Sequence, residues 1–226
     1  GFGQRETIRR LARLGRAPEQ LTGILVTHEH GDHVGGAFPF ARRHGLPVWL
    51  SHGTSSACQA AAGGVELRII DGDAAFCVEA LEVQPFPVPH DAREPLQFVF
   101  SDGNRRLGLL TDAGEITRHM RDMLSGVDGL ILECNHDAGM LASSRYPPSL
   151  QWRIAGRLGH LANDAAAGLL REIDSGRLQH IVAAHLSEQN NHPSLAVSAL
   201  ATVLGCPNER IGVAGQEAGF DWRQLV

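Results

Sequence analysis

One stretch of the chain concentrates the residues that can bind metal: Thr27-His28-Glu29-His30-Gly31-Asp32-His33, with three imidazoles and a carboxylate from His28 to His33. Imidazole nitrogen and carboxylate oxygen are ligands that borderline divalent cations accept, Zn²⁺ first, with Mn²⁺ and Fe²⁺ as alternatives. A merely histidine-rich polar loop is the bland reading, and 12 His in 226 residues make chance pairs common. His-x-His-x-Asp-His directly after an apolar run is much harder to reach by composition alone. Further candidates follow in order at His90, Asp112 and His185. Two cations need about seven protein ligands with one shared. His28, His30 and His90 would hold the first, Asp32, His33 and His185 the second, and Asp112 would bridge them. Such a pair acidifies a bridging water to hydroxide, orients an ester and stabilises charge on the displaced oxygen. An anionic bridge lowers the cost of placing two cations close together.

The elements around these residues are arranged to present them. Gly23-Ile24-Leu25-Val26 reads as a strand entering the motif, and Val34 to His44 as a helix leaving it. Arg5 to Gly15 has apolar positions at Ile8, Leu11, Ala12 and Leu14, an amphipathic helix whose Arg-rich face is read as solvated, with polyanion contact as the alternative. Short strands are expected at 47–50, 67–70, 76–78, 81–83 and 96–100, and a Pro-stiffened loop, Pro85 to Asp91, delivers His90. Strands 106–111 and 129–132 end beside Asp112 and Glu133-Cys134-Asn135-His136-Asp137. Strand 180–184 ends on His185, and helices are expected at 116–124, 148–156, 164–173 and 193–204 with Asn163 as an N-cap. A short strand is expected at 211–213. Candidate residues at several strand ends imply strands lying side by side with helices outside, a mixed α/β layered fold.

Composition bounds the rest. Hydrophobic content of 43% and charged content of 20% suit a globular chain, expected as one domain over residues 1–226. No apolar run reaches the length of about 18 residues that a membrane span needs, so no membrane partner is expected. All 20 basic residues are Arg, and the net charge of −5 argues against non-specific coating of nucleic acid. Cys58, Cys77, Cys134 and Cys206 are far apart, read as buried small apolar residues in a reduced cytoplasm.

The order of the motif, His90, Asp112 and His185 resembles the metallo-β-lactamase superfamily. Thr111-Asp112-Ala113-Gly114, Glu133-Cys134-Asn135-His136-Asp137, Gly159-His160-Leu161-Ala162-Asn163 and His185-Leu186-Ser187-Glu188-Gln189-Asn190-Asn191 resemble its YycJ/WalJ-like branch, related to tRNase Z and the PhnP phosphodiesterases. The resemblance implies an α/β, four-layer αββα sandwich and a dinuclear metal-dependent hydrolase of phosphodiester bonds. Nucleic acid, DNA or RNA, is the first substrate and a small cyclic phosphodiester the second. Family members open on a strand hairpin, and Gly1-Phe2-Gly3 aligns just after it. The hairpin is therefore expected to be missing, with an open edge or a separate segment in its place. Ala113 and Ala162 stand where the branch shows Thr and Ser.

Rival chemistries fit less well. Asp112 argues against β-lactam hydrolysis, Pro87-Val88-Pro89-His90-Asp91 is not the glyoxalase II loop, and His30 stands where flavodiiron proteins carry Glu. A non-catalytic metal-binding module is the reading from a different class. Asp32 is expected both to ligate metal and to orient the attacking water. His160 is the candidate proton donor, with helix capping as its alternative role. His136 is read as structural, and Asn190 and Asn191 as residues that fix the loop after His185.

Overall fold

The computed structural model describes all 226 residues, which divide into two compact units. The first comprises Gly1–Ala74 and Ala92–Leu96, the second Ala75–Asp91 and Gln97–Val226.

The first unit is built on a parallel three-stranded sheet of β1 (Ile24–Leu25), β2 (Val48–Ser51) and β3 (Leu67–Ile70), in that order. Parallel neighbours need crossovers. The helices α3 (Ala37–His44) and α4 (His52–Cys58) supply them, α3 ending at Gly45 in the left-handed region at φ +64. All four residues of β2 are buried, as a central strand covered on both faces requires. Val26, Phe38, Phe40, Leu46, Val48 and Leu50 form the core of this unit, and α1 (Gln4–Arg13) lays Ile8 and Leu11 on it. The helix expected to run unbroken from Val34 is in fact two, α2 (Gly31–Val34) and α3, because Gly35 and Gly36 interrupt it.

The second unit holds a seven-stranded sheet in the order β10-β9-β8-β7-β6-β5-β4. Its strands are β4 (Phe76–Val78), β5 (Leu81–Pro87), β6 (Leu96–Ser101), β7 (Arg106–Leu110), β8 (Gly129–Glu133), β9 (His180–Ala184) and β10 (Ile211–Val213). β7 to β10 run parallel, and β6 pairs antiparallel with β7. Five helices lie in the connections between β7 and β10: α5 (Arg118–Leu124), α6 (Ala138–Ala142), α7 (Pro148–Ala155), α8 (Asn163–Glu172) and α9 (Pro193–Leu204). Phe86, Leu110, Met120, Leu130, Leu132, Leu161, Leu169 and Leu200 belong to one buried cluster.

Some expectations need correction. β5 continues through Pro87, so much of the expected Pro-stiffened loop is strand. Asn163 is not an N-cap: α8 is capped by the backbone of Ala162, and the Asn163 side chain is buried elsewhere. Cys77 is exposed on the edge strand β4, where alternate side chains leave the core. α6 had no signal in the hydrophobic pattern beyond Asp137, whose Oδ1 accepts from the Met140 N–H as its cap. No helix is long and apolar enough to cross a membrane.

Candidate metal centre

In the first unit the motif is a loop between β1 and α2. Thr27 and His28 are buried, while Asp32 at its rim is exposed. The Thr27 hydroxyl lies 3.1 Å from His28 Nδ1 and 2.9 Å from His33 Nδ1. With Nδ1–H of each ring donated to that oxygen, Nε2 of each carries the lone pair. His28 Nε2 and His30 Nδ1 stand 3.0 Å apart. That is the spacing of an N–H···N hydrogen bond, and with the proton exchanged for a cation both nitrogens are placed to serve as ligands. Asp32 Oδ2 is 3.5 Å from His33 Nε2. Glu29 does different work: its Oε1 accepts from the Arg93 N–H at 2.8 Å, tying the loop to residues 92–96.

In the second unit, parallel strands deliver their carboxyl ends to one edge. Leu110 is in register with Leu132 and Leu132 with Ala183, so Asp112, Glu133 and His185 emerge side by side. Asp112 (φ +50) and His185 (φ +55) are both left-handed, a conformation costing a non-glycine residue about 1–2 kcal/mol. Each turns the chain sharply at the point where its side chain must face the site.

Asp112 Oδ1 is the centre of this cluster. It lies 3.8 Å from His90 Nε2 and 3.6 Å from His185 Nε2. Two ligands at Zn–N distances of about 2.1 Å in a tetrahedron sit about 3.4 Å apart. These separations therefore suit donors around a cation. The remaining nitrogen of each ring is already engaged, His90 Nδ1 with the Gly159 carbonyl at 3.0 Å and His185 Nδ1 with Glu133 Oε1 at 2.9 Å. Gly159 can present that carbonyl because it has no side chain; a Cβ there would lie 2.2 Å from the Ile154 oxygen. His90 is buried, and burial lowers its pKa against the pull of Asp112, which keeps the ring neutral as a metal ligand must be.

His160 joins the same group, its Nδ1 2.9 Å from Glu133 Oε1 and 3.5 Å from Asp112 Oδ1. Glu133 was not singled out from the sequence. It is fully buried, and its other oxygen accepts from the Ala113 N–H at 2.9 Å and the Leu161 N–H at 3.2 Å. Burial pushes its pKa up, but the bonds from His160 and His185 more than offset this and hold it below the ordinary value. The available signal was a lone carboxylate closing the otherwise apolar run Gly129-Leu130-Ile131-Leu132.

The loops around the cluster are stitched together. Asn163 and Asn191 exchange two amide hydrogen bonds of 2.9 Å, and Asn191 Nδ2 also donates to the Cys134 carbonyl at 2.7 Å. Asn135 Nδ2 donates to the His185 carbonyl at 3.0 Å. Asn191 thus fixes the loop after His185, as expected. His136 is buried, with its backbone carbonyl accepting from the Asn163 N–H. Burial, with Glu133 nearby, pushes the Cys134 thiol far up, so it supplies no thiolate.

Comparison with known proteins resolves the family. The beta-lactamase superfamily domain matches residues 1–181. The chain is 37% identical over 188 residues to exodeoxyribonuclease YycJ of Bacillus anthracis, covering 81% of this chain and 71% of that protein. The chain belongs to the metallo-β-lactamase superfamily. Within that superfamily it stands in the YycJ/WalJ branch, being also 32% identical over 212 residues to exodeoxyribonuclease WalJ of Streptococcus pneumoniae, with 90% and 77% covered. Solved structures share the superfamily's fold. The metallo-β-lactamase fold protein YhfI from Bacillus subtilis aligns with a TM-score of 0.69 at 17% identity, covering 91% of this chain and 78% of that one. A diphosphatase of the PhnP family aligns at 0.64 and 19%, covering 94% and 73%. The expected α/β metallo-β-lactamase fold class is thereby established.

Proposed function

We propose that the chain hydrolyses phosphodiester bonds of nucleic acid, using divalent cations held by His28, His30, Asp32, His33, His90, Asp112 and His185. The observation that carries this reading is the set of donors around Asp112 Oδ1, with Nε2 of His90 and His185 presented and Nδ1 of each anchored. The similarity to proteins named exodeoxyribonucleases supports nucleic acid as the substrate class. When bound, the cations acidify a water and neutralise charge that develops on the phosphoryl oxygens. Zn²⁺ suits this histidine-rich set best, with Mn²⁺ and Fe²⁺ as alternatives.

The chain's own residues supply orientation and proton management. Glu133 holds His185 and His160 in one tautomer. His160, with Nδ1 given to Glu133, keeps Nε2 for delivering a proton to the leaving alkoxide. Asp32, exposed at the rim, ligates metal and orients the attacking water. A reducing compartment, the cytoplasm, suits the four free cysteines.

The test pairs metal analysis of the purified chain with a substrate panel: bis(p-nitrophenyl) phosphate, DNA and RNA oligonucleotides, a cyclic phosphodiester, nitrocefin and a glutathione thioester. Turnover of the phosphodiesters with bound divalent metal is expected. Nitrocefin hydrolysis beside inert phosphodiesters would reverse the assignment.

A further inference from the structure

Of the 20 Arg and 25 acidic residues in the chain, residues 1–16 hold five Arg and a single Glu. Arg42 and Arg43, exposed on α3, add two more cations, leaving 13 Arg against 24 acidic residues elsewhere. A chain that is anionic overall therefore gathers its positive charge in one part of the first unit. Arg5, Arg9 and Arg13 recur every fourth residue along α1, about 6 Å apart along its axis, and Arg16 follows just past the helix. All four are exposed. Glu6 offsets only part of this charge, accepting from Arg9 at 2.7 and 2.8 Å and from Arg10 at 2.5 Å.

The stripe continues onto α3. Arg43 donates to Gln4 Oε1 at 3.3 Å, and Gln4 Nε2 donates to the Pro39 carbonyl at 3.1 Å. A groove of about 720 Å³ is lined by Gly3, Gln4, Arg5, Glu6, Ile8 and Arg43. Just before α1, Phe2 is 46% exposed, with the Arg10 guanidinium stacked 3.9 Å from its ring centroid. The stripe also starts beside the metal-binding loop. A Cβ on Gly36 would lie 1.7 Å from the Phe2 carbonyl oxygen, so the backbone entering α1 rests directly on the segment that follows His33.

We propose that Phe2, Arg5, Arg9, Arg13, Arg16 and Arg43 form a binding track for single-stranded nucleic acid, leading along α1 to the metal loop. This deepens the proposed function and rests on it for the fate of the strand. Spaced guanidinium groups match a row of phosphates, and an exposed aromatic supplies the base-stacking platform that single strands need and duplexes cannot use. Amphipathic basic helices also bind anionic membranes, but they turn their apolar face outward to do so. Here Ile8 and Leu11 are committed to the unit's own core, which leaves α1 nothing to insert.

The experiment is fluorescence anisotropy on the metal-loaded chain with a phosphorothioate strand long enough to cover the site, about 20 nucleotides. Affinity is read between about 50 and 200 mM salt. Arg5→Ser/Arg13→Ser/Arg16→Ser should weaken binding at least about 10-fold and reduce the log–log salt slope by about 2. The corresponding triple Lys variant should keep the slope. Phe2→Ala should weaken binding about 5-fold or more while leaving the slope intact, because stacking releases no counterions. Unchanged affinity and slope in the Ser variant would overturn the track, as would duplex binding as tight as single-strand binding. Capture by phosphatidylserine vesicles that the Ser variant abolishes would reassign the face to a membrane. A chain that binds strands as described but cleaves no phosphodiester keeps the track and loses the proposed function. Hydrolysis of bis(p-nitrophenyl) phosphate together with strand affinity and salt slope unchanged by the Arg substitutions does the reverse.

Discussion

The Nδ1 atoms of His160 and His185 each lie 2.9 Å from the same oxygen, Glu133 Oε1. One buried carboxylate thus sets the orientation of a candidate metal ligand and of the candidate acid together. Its second oxygen is occupied by two backbone N–H groups. Glu133→Gln puts an amide N–H₂ where one pair of donors expects an acceptor. Metal affinity and kcat/KM should both fall about 10- to 100-fold. Metal content and steady-state kinetics measure this, and a variant with full metal and full activity would remove Glu133 from the mechanism.

Asp32 combines two roles, so its loss should show in two readouts. Asp32→Ala should lower occupancy of one of the two cations and lower activity in parallel, with excess metal restoring little. Stoichiometry by plasma mass spectrometry, taken beside turnover, checks the pairing. Two tightly bound cations in an inactive variant would leave water orientation as its only role.

His160 lies outside the proposed ligand set, so His160→Ala should keep both metals. With an alkoxide leaving group its rate should drop about 10²- to 10⁴-fold. The loss should shrink sharply with p-nitrophenolate, which departs without a proton. Equal losses on both substrates would make His160 a phosphate-positioning residue and not an acid.

Asp128 offers a test of stability against pH. It is 2% exposed; its Oδ2 accepts from the Arg106 N–H at 2.8 Å and its Oδ1 from Arg177 at 3.1 Å, joining the starts of β7 and β8 to the approach to β9. Burial raises its pKa, but these donors outweigh burial and hold it below the ordinary carboxylate value. A carboxyl lowered on folding contributes stability above its unfolded pKa and loses it as pH falls through the folded one. Asp128→Asn should therefore cost about 1.5–3 kcal/mol near neutral pH, and the deficit should shrink in acid. Urea unfolding across the acid range reads both; a deficit independent of pH would mean that packing, not charge, is lost.

Ala162 caps α8 with extended backbone (φ −68, ψ 158) but no side-chain acceptor. Ala162→Ser should stabilise by about 1 kcal/mol, raising Tm by about 2–4 °C. Calorimetry checks it, and no gain would show that the first turn of α8 already has other acceptors.

The sequence by itself determined the ligand types, their order and the strand ends that carry them. His28, His30, Asp32 and His33 sit on one short loop, where local spacing suffices to bring them together, and the parallel β-α rhythm placed Asp112 and His185 at strand ends. It also determined the family, because those residues recur in a fixed order with distinctive neighbours. Only the tertiary structure decided the roles that depend on distant pairing. Glu133 became the anchor of His160 and His185 through contacts 27 and 52 residues away along the chain. Asn163, which suits an N-cap by residue type, is drawn instead into a buried amide pair with Asn191, 28 residues on. Local propensity carries no record of such partners: a buried amide goes wherever its donors and acceptors can both be satisfied, and that is fixed by strand register and loop packing.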